Sequence, residues 1–154
     1  MRGKLGLLAA AGMVSALALV VSLVSVSAAG PNVTRVAVIE HATTDTVVDL
    51  TTNGDSTGDL LTFHNELFDT GNDDVAGTDQ GECVRIEVGV SWECRWINFL
   101  EDGSITVEGP FLDAGDSTLA VTGGTGRYRN VRGFMKLHAL ENGTKFAFEF
   151  HLVG

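Results

Sequence analysis

The sequence is short of basic residues, proline and cysteine, and each shortage excludes something. Lys and Arg number 10 against 20 Asp and Glu, a net charge of −10. Binding a phosphate backbone needs a clustered basic surface, so nucleic acid is excluded as a partner. Charged residues make up only 19% and hydrophobic residues 44%, which excludes wholesale disorder in a chain of 154 residues, long enough for one ordinary domain. Two prolines accompany 19 glycines, a balance that suggests tight turns between short strands. Beyond Ala29 no segment sustains a helical period, and there is no internal repeat or low-complexity linker. One all-β domain is expected.

The first stretch is of another kind. Arg2 and Lys4 precede an apolar run from Leu5 to Val26, followed by Ser27, Ala28, Ala29 and Gly30. A basic start, an apolar centre and small residues at a cleavage point describe a secretory signal peptide over residues 1–29, with an uncleaved membrane anchor as the alternative. No cysteine follows the run, which argues against a lipid anchor. Cleavage leaves a barrel-sized domain over residues 30–154, with a net charge of −12. The expected location is secreted or extracytoplasmic, with no stable membrane partner.

Export changes the reading of the cysteines. Cys83 and Cys94 are the only pair available, and an oxidising compartment favours a disulfide between them. They flank Val84 to Glu93, which reads as a hairpin bending near Val88 and Gly89. A two-residue turn there sets Cys83 opposite Cys94. A metal site is the alternative, but no His or further Cys lies near, so none is expected.

Period-two alternation recurs along the chain. Thr34–Ala42 places Val36, Val38, Glu40 and Ala42 on one face; Leu60–Phe68 aligns Leu61, Phe63, Asn65 and Leu67. Ser104–Phe111 aligns Ile105, Val107, Gly109 and Phe111, and Lys145–Leu152 aligns Phe146, Phe148, Phe150 and Leu152. Turn signals such as Asn53-Gly54-Asp55, Asp102-Gly103 and Asn142-Gly143 separate them. Seven or eight short strands make a sandwich or a closed barrel.

Polar residues on apolar faces are the candidates for chemistry. Glu40 follows Val36 and Val38; if that face is interior, low dielectric raises its pKa and makes it a base or a support for a cationic intermediate. If the strand ends there, Glu40 is solvated. Asn65 likewise is either a cavity amide or a satisfied core amide. Arg85 and Glu87 share a face with Cys83, while Val84, Ile86 and Val88 form the other, so alternation leaves open which side is interior. Gly123–Arg127 lacks the spacing of a phosphate loop and reads as a turn. Asp69, Asn72, Asp73 and Asp74 do not fit a calcium loop and read as a solvated turn. The four histidines show no ligand spacing. Asn32-Val33-Thr34 and Asn142-Gly143-Thr144 are formal glycosylation sequons.

Several separated motifs carry a resemblance. Gly58-Asp59-Leu60-Leu61-Thr62-Phe63-His64-Asn65-Glu66-Leu67-Phe68-Asp69 resembles the second-strand motif of allene oxide cyclases. So do Ile105 to Phe111, Leu119 to Gly126, Gly133 to His138 and the closing Phe146–Leu152 strand. The glycine-rich turn is similar to that of dirigent proteins. The resemblance implies an eight-stranded antiparallel β-barrel of the calycin type with an apolar cavity, commonly a homotrimer, working without a cofactor. It implies Glu40 and Asn65 as the catalytic pair, Cys83 as a pocket cysteine and Phe63 as a pocket aromatic; Arg85, Trp96 and Phe111 are further candidate ligand contacts. The chain departs from the family at Ala42, where an asparagine is usual, at Phe111, where a tyrosine is usual, and in lacking a proline between Thr46 and Asp49. The functional expectation is an allene oxide cyclase-like isomerase that binds a small apolar or aromatic molecule and steers its cyclisation. The alternatives are a dirigent-type auxiliary and a non-catalytic binding protein.

Overall fold

The structure, a computed structural model, describes residues 33–51 and 54–154. The apolar run, its cleavage point and the Asn32 sequon lie outside the described residues. Ten strand segments follow in order: β1 (Val33–His41), β2 (Thr46–Val48), β3 (Leu60–Phe63), β4 (Glu66–Phe68), β5 (Val75–Glu87), β6 (Ser91–Leu100), β7 (Gly103–Leu112), β8 (Ser117–Gly124), β9 (Arg132–Leu140) and β10 (Lys145–Val153). All pair antiparallel, and the β5–β6 pairing closes the sheet on itself.

These ten segments make eight staves. β3 pairs with the later half of β5 and β4 with its beginning, so together they are one stave broken at His64 and Asn65. β1 pairs with β4 and β2 with β3, so they form a second stave, broken over residues 42–45. Sequence alternation runs unbroken through the first break, because inward and outward side chains keep their order across residues 64–65, but it ends at Ala42, where the second begins. The result is a closed eight-stranded antiparallel barrel. Closure removes the unpaired edges that an open sheet would leave.

Alternation decides what fills it. Phe146, Phe148, Phe150 and Leu152 all point inward and are buried, as are Ile105, Val107, Leu119, Val121, Met135 and Leu137. Complete burial of one such side chain stabilises the fold by about 1.5–3 kcal/mol. Tyr128 and Val131, in the connection after β8, are also buried and cap one end of this core. Of Gly123–Arg127, Gly123 and Gly124 end β8 and only the remainder turns, opening the single 3-10 turn Gly126–Tyr128. The acidic Asp69–Asp74 segment is likewise a hydrogen-bonded turn, with the Asn72 and Asp74 backbones closing onto Asp69. The opposite end of the barrel is less filled, and the polar residues gather there.

The β5–β6 hairpin reaches its expected register by a different route. Cys83 stands opposite Cys94 and is bonded to it, but the loop has three residues, Val88 to Val90. An irregularity between Arg85 and Glu87 takes back the extra residue. Cys83 and Arg85 face inward, while Val84, Ile86, Val88 and Val90 are exposed. One glycine matters to the interior. A Cβ on Gly81 would lie 2.2 Å from the Trp96 Cβ, so a bare backbone at this position is what lets Trp96 lie against β5.

The disulfide closes a loop with a sequence separation of 11. Chain-entropy arguments give about 3 kcal/mol for so short a loop. Replacing both cysteines by alanine should therefore lower unfolding stability by ~3 kcal/mol in urea titrations. An unchanged urea midpoint would show that the bond does not constrain the unfolded chain.

Candidate functional site

The two stave breaks lie side by side, and Asn65 joins them. Breaking a ladder leaves backbone donors that need new acceptors. The Asn65 Oδ1 accepts from the N–H groups of Thr43 and Thr44, each at 3.0 Å. The Thr44 hydroxyl takes the His64 N–H at 2.8 Å. With Oδ1 committed to N–H donors, the amide orientation is settled, and Nδ2 must face acceptors. It does: Glu40 Oε1 and Asp45 Oδ1 each lie 2.8 Å away. The Asn65 backbone N–H also points at Asp79 Oδ1, at 3.2 Å.

Three carboxyls thus surround one neutral amide. Glu40, Asn65 and Asp79 are 5%, 1% and 0% exposed. No Lys, Arg or His pairs with Glu40, Asp45 or Asp79 among the described residues. The two hydrogens of Nδ2 are spent on Glu40 and Asp45, and Asp79 Oδ2 has no N–H or O–H donor. Its neighbour is the Glu40 carboxyl, and two carboxyls hydrogen-bond only when one carries a proton. Burial first, then the Asp79 charge, push Glu40 well above the usual carboxylate range, against the pull of the Asn65 amide. Burial pushes Asp79 up to about 7, although hydrogen bonding to Glu40 and Asn65 pulls the other way. Glu40 and Asp79 therefore share a proton near neutral pH and titrate as a pair.

Glu40 reaches a chamber of about 50 Å³ whose other walls are Asp45, Leu61, Phe63, Cys83, Cys94, Trp96, Phe111, Leu137 and Phe146. Phe63 meets Trp96 edge-to-face at 5.9 Å between ring centres. Phe111 meets Phe146 in the same way at 5.6 Å. Asp45, Phe111, Leu137 and Phe146 also line a wider vestibule of about 580 Å³, bounded by Asp113, Gly115, Asn142 and Gly143. The inner chamber has room for no more than a few water-sized groups, so a larger molecule must extend outward past the two phenylalanines.

The structure thus brings Glu40, Phe63, Trp96 and Phe111 to one cavity, with the Cys83–Cys94 bond in its wall. Asn65 stands behind Glu40 rather than in the lining. Arg85 is buried but does not line the chamber. Its guanidinium lies over Trp92 at 4.0 Å, holds both Asp113 oxygens at 2.6 and 2.7 Å and reaches Asp55 at 2.8 Å. With its charge so occupied, it braces the loops at the barrel mouth. Sequence reasoning missed Asp45, Asp79, Leu137 and Phe146 as site residues. Among the described residues no group of three or more His, Cys, Asp or Glu side chains is placed to hold a metal ion.

With this geometry in place, comparison with known proteins adds a family match and three structural neighbours. The family model described as allene oxide cyclase matches residues 35–154. Among solved structures, a pyocyanin demethylase superposes with a TM-score of 0.68 at 22% identity, covering 77% of this chain and 99% of that one. An exo-specific intermolecular Diels–Alderase gives 0.65 at 20% identity, covering 80% and 99%. A pterocarpan synthase dirigent protein gives 0.66 at 12% identity, covering 86% and 94%. At these identities the structural likeness is one of fold.

The shared proton has a thermodynamic signature. Between about pH 4 and 7 the folded chain keeps a proton on the Glu40–Asp79 pair that the unfolded chain has released. Excess proton binding by the folded state means that stability falls as pH rises through this window. Asp79→Asn should remove much of that fall. Urea midpoints measured from pH 4 to 8 check this: parallel profiles for the two proteins would show that Asp79 contributes nothing to the extra proton.

Proposed function

The chain belongs to the allene oxide cyclase family, and from that premise we propose that it is an exported, cofactor-free barrel that binds a small apolar or aromatic molecule and steers its cyclisation or isomerisation. The observation that carries this reading is Glu40, set in the wall of an otherwise largely apolar chamber and backed by Asn65 and Asp79. An isomerisation gains and loses no atoms. The chain need only hold the reacting ends together, exclude water and balance charge as it develops. In an allene oxide the strained C–O bond opens, positive charge spreads over carbon, and a new C–C bond closes the ring. Glu40, a carboxylate whenever the shared proton sits on Asp79 behind it, opposes that positive charge. Walls of Phe63, Trp96, Phe111 and Phe146 restrict how the chain of the substrate folds.

An allene oxide generated in situ in the presence of the protein should give one enantiomer of the cyclic product in excess by chiral chromatography. A racemic product identical to the spontaneous one would sink the cyclase reading. Glu40→Gln should cut the catalysed rate by ~10²–10⁴-fold with the melting temperature retained. The dirigent barrels among the structural neighbours favour a second reading, in which stereochemical bias emerges only when an external oxidase supplies the reactive species. A non-catalytic carrier would instead keep its ligand through purification, with or without Glu40.

Export rests on residues 1–29, proposed as a removed signal segment, and the Cys83–Cys94 bond is compatible with an extracellular setting. No helix among the described residues is long and apolar enough to cross a membrane. For the homotrimer that the family implies, the outer wall offers Val48, Leu60 and Val84, which lie in one row across β2, β3 and β5. Sedimentation equilibrium should give three times the monomer mass, and a monomer at micromolar concentration would refute the trimer.

A further inference from the structure

The chamber and its vestibule are chemically one-sided. None of the residues lining either is Lys, Arg or His, whereas Glu40, Asp45 and Asp113 are acids. Asp113 is balanced by Arg85 from outside the lining. Glu40 and Asp45 are not balanced, and Asp79 stands behind them. Even with one proton shared, this corner keeps negative charge. The remaining walls are aromatic: Phe63, Trp96, Phe111 and Phe146. Ring faces attract cations and offer nothing to an anion.

Donors point the same way. Among the residues lining the inner chamber, Trp96 supplies the single side-chain N–H, and that N–H is buried without an acceptor. A carboxylate brought out of water needs several donors or a cation, and would face like charges instead.

We infer that this site, read as the ligand-binding site proposed above, takes a planar ligand that is uncharged or carries delocalised positive charge, and excludes carboxylates from the chamber. Any acidic tail on a substrate then stays outside the mouth, in solvent. The selection arises at Glu40 and Asp45, not from the overall acidity of the chain.

Three single-ring probes of similar shape separate charge from fit: toluene, N-methylpyridinium and benzoate. Each is titrated into the full chain at pH 7.5 in 150 mM salt, following the Trp96 indole N–H resonance. N-methylpyridinium should bind at least tenfold more tightly than benzoate, with toluene also shifting the resonance. In the Glu40→Gln/Asp45→Asn variant that ratio should fall at least threefold while toluene affinity holds. Benzoate binding as tightly as N-methylpyridinium overturns the charge selection and leaves the ligand site standing. A ratio unchanged in the variant overturns it too, because the preference then belongs to the whole surface. If no probe moves the Trp96 resonance, the chamber takes no such ligand and both the inference and the site beneath it fall. Should the double variant not fold, Asp45→Asn alone, at an exposed position, supplies the comparison, and an unchanged ratio there overturns the inference.

Discussion

One amide holds the site together. Asn65 accepts the backbone donors released where the β1–β2 stave breaks and donates to the two carboxyls that the same stave presents. Remove it, and buried Glu40 and exposed Asp45 lose their shared donor while two N–H groups lose their acceptor. A leucine of similar size would satisfy none of these groups, at roughly 1–3 kcal/mol for each one left unpaired in the interior. The acid cluster and the local backbone are therefore the same structure seen from two sides.

Charge in this corner is managed with protons rather than with cations. Arg85, the buried cation nearest in sequence to the chamber wall, is spent on Asp113, Asp55 and the face of Trp92. That leaves Glu40 and Asp79 to divide a proton between them. A pair so arranged can present either an acid or a base without moving a side chain, which suits reactions in which positive and negative charge appear together. Around it the aromatic walls contribute shape and dryness and no competing donor beyond the Trp96 N–H.

Much of this was legible in the chain. Glu40 stood out because Val36 and Val38 precede it on the same face, and Phe63 and Asn65 because Leu61 and Leu67 bracket them. Asp79 gave no such signal: its inward neighbours on β5 are Gly77 and Gly81, so no apolar row frames it. Asp45 lies outside any strand, where alternation says nothing. Phe146 and Leu137 read as ordinary core, since a cavity wall and a core wall have the same pattern until depth is known. Arg85 was ambiguous because apolar residues occupy the outward face of its strand, where Val84 and Ile86 meet solvent. The barrel itself was easier, because turns and alternation agree along the whole domain.

The two stave breaks have a dynamic consequence. Elsewhere in the barrel long antiparallel ladders tie each stave to its neighbours, as between β6 and β7 or β9 and β10. At residues 42–45 and 64–65, side-chain oxygens of Asn65 and Thr44 stand in for part of that ladder. Side-chain acceptors can let go without unzipping a strand, so this corner opens at lower free energy than the frame around it. Amide hydrogens of Thr43, Thr44 and His64 then exchange ahead of those in β6 and β7. The wall that carries the acids is thus also the wall that can breathe, giving a closed barrel a way to admit what its small resting chamber cannot hold.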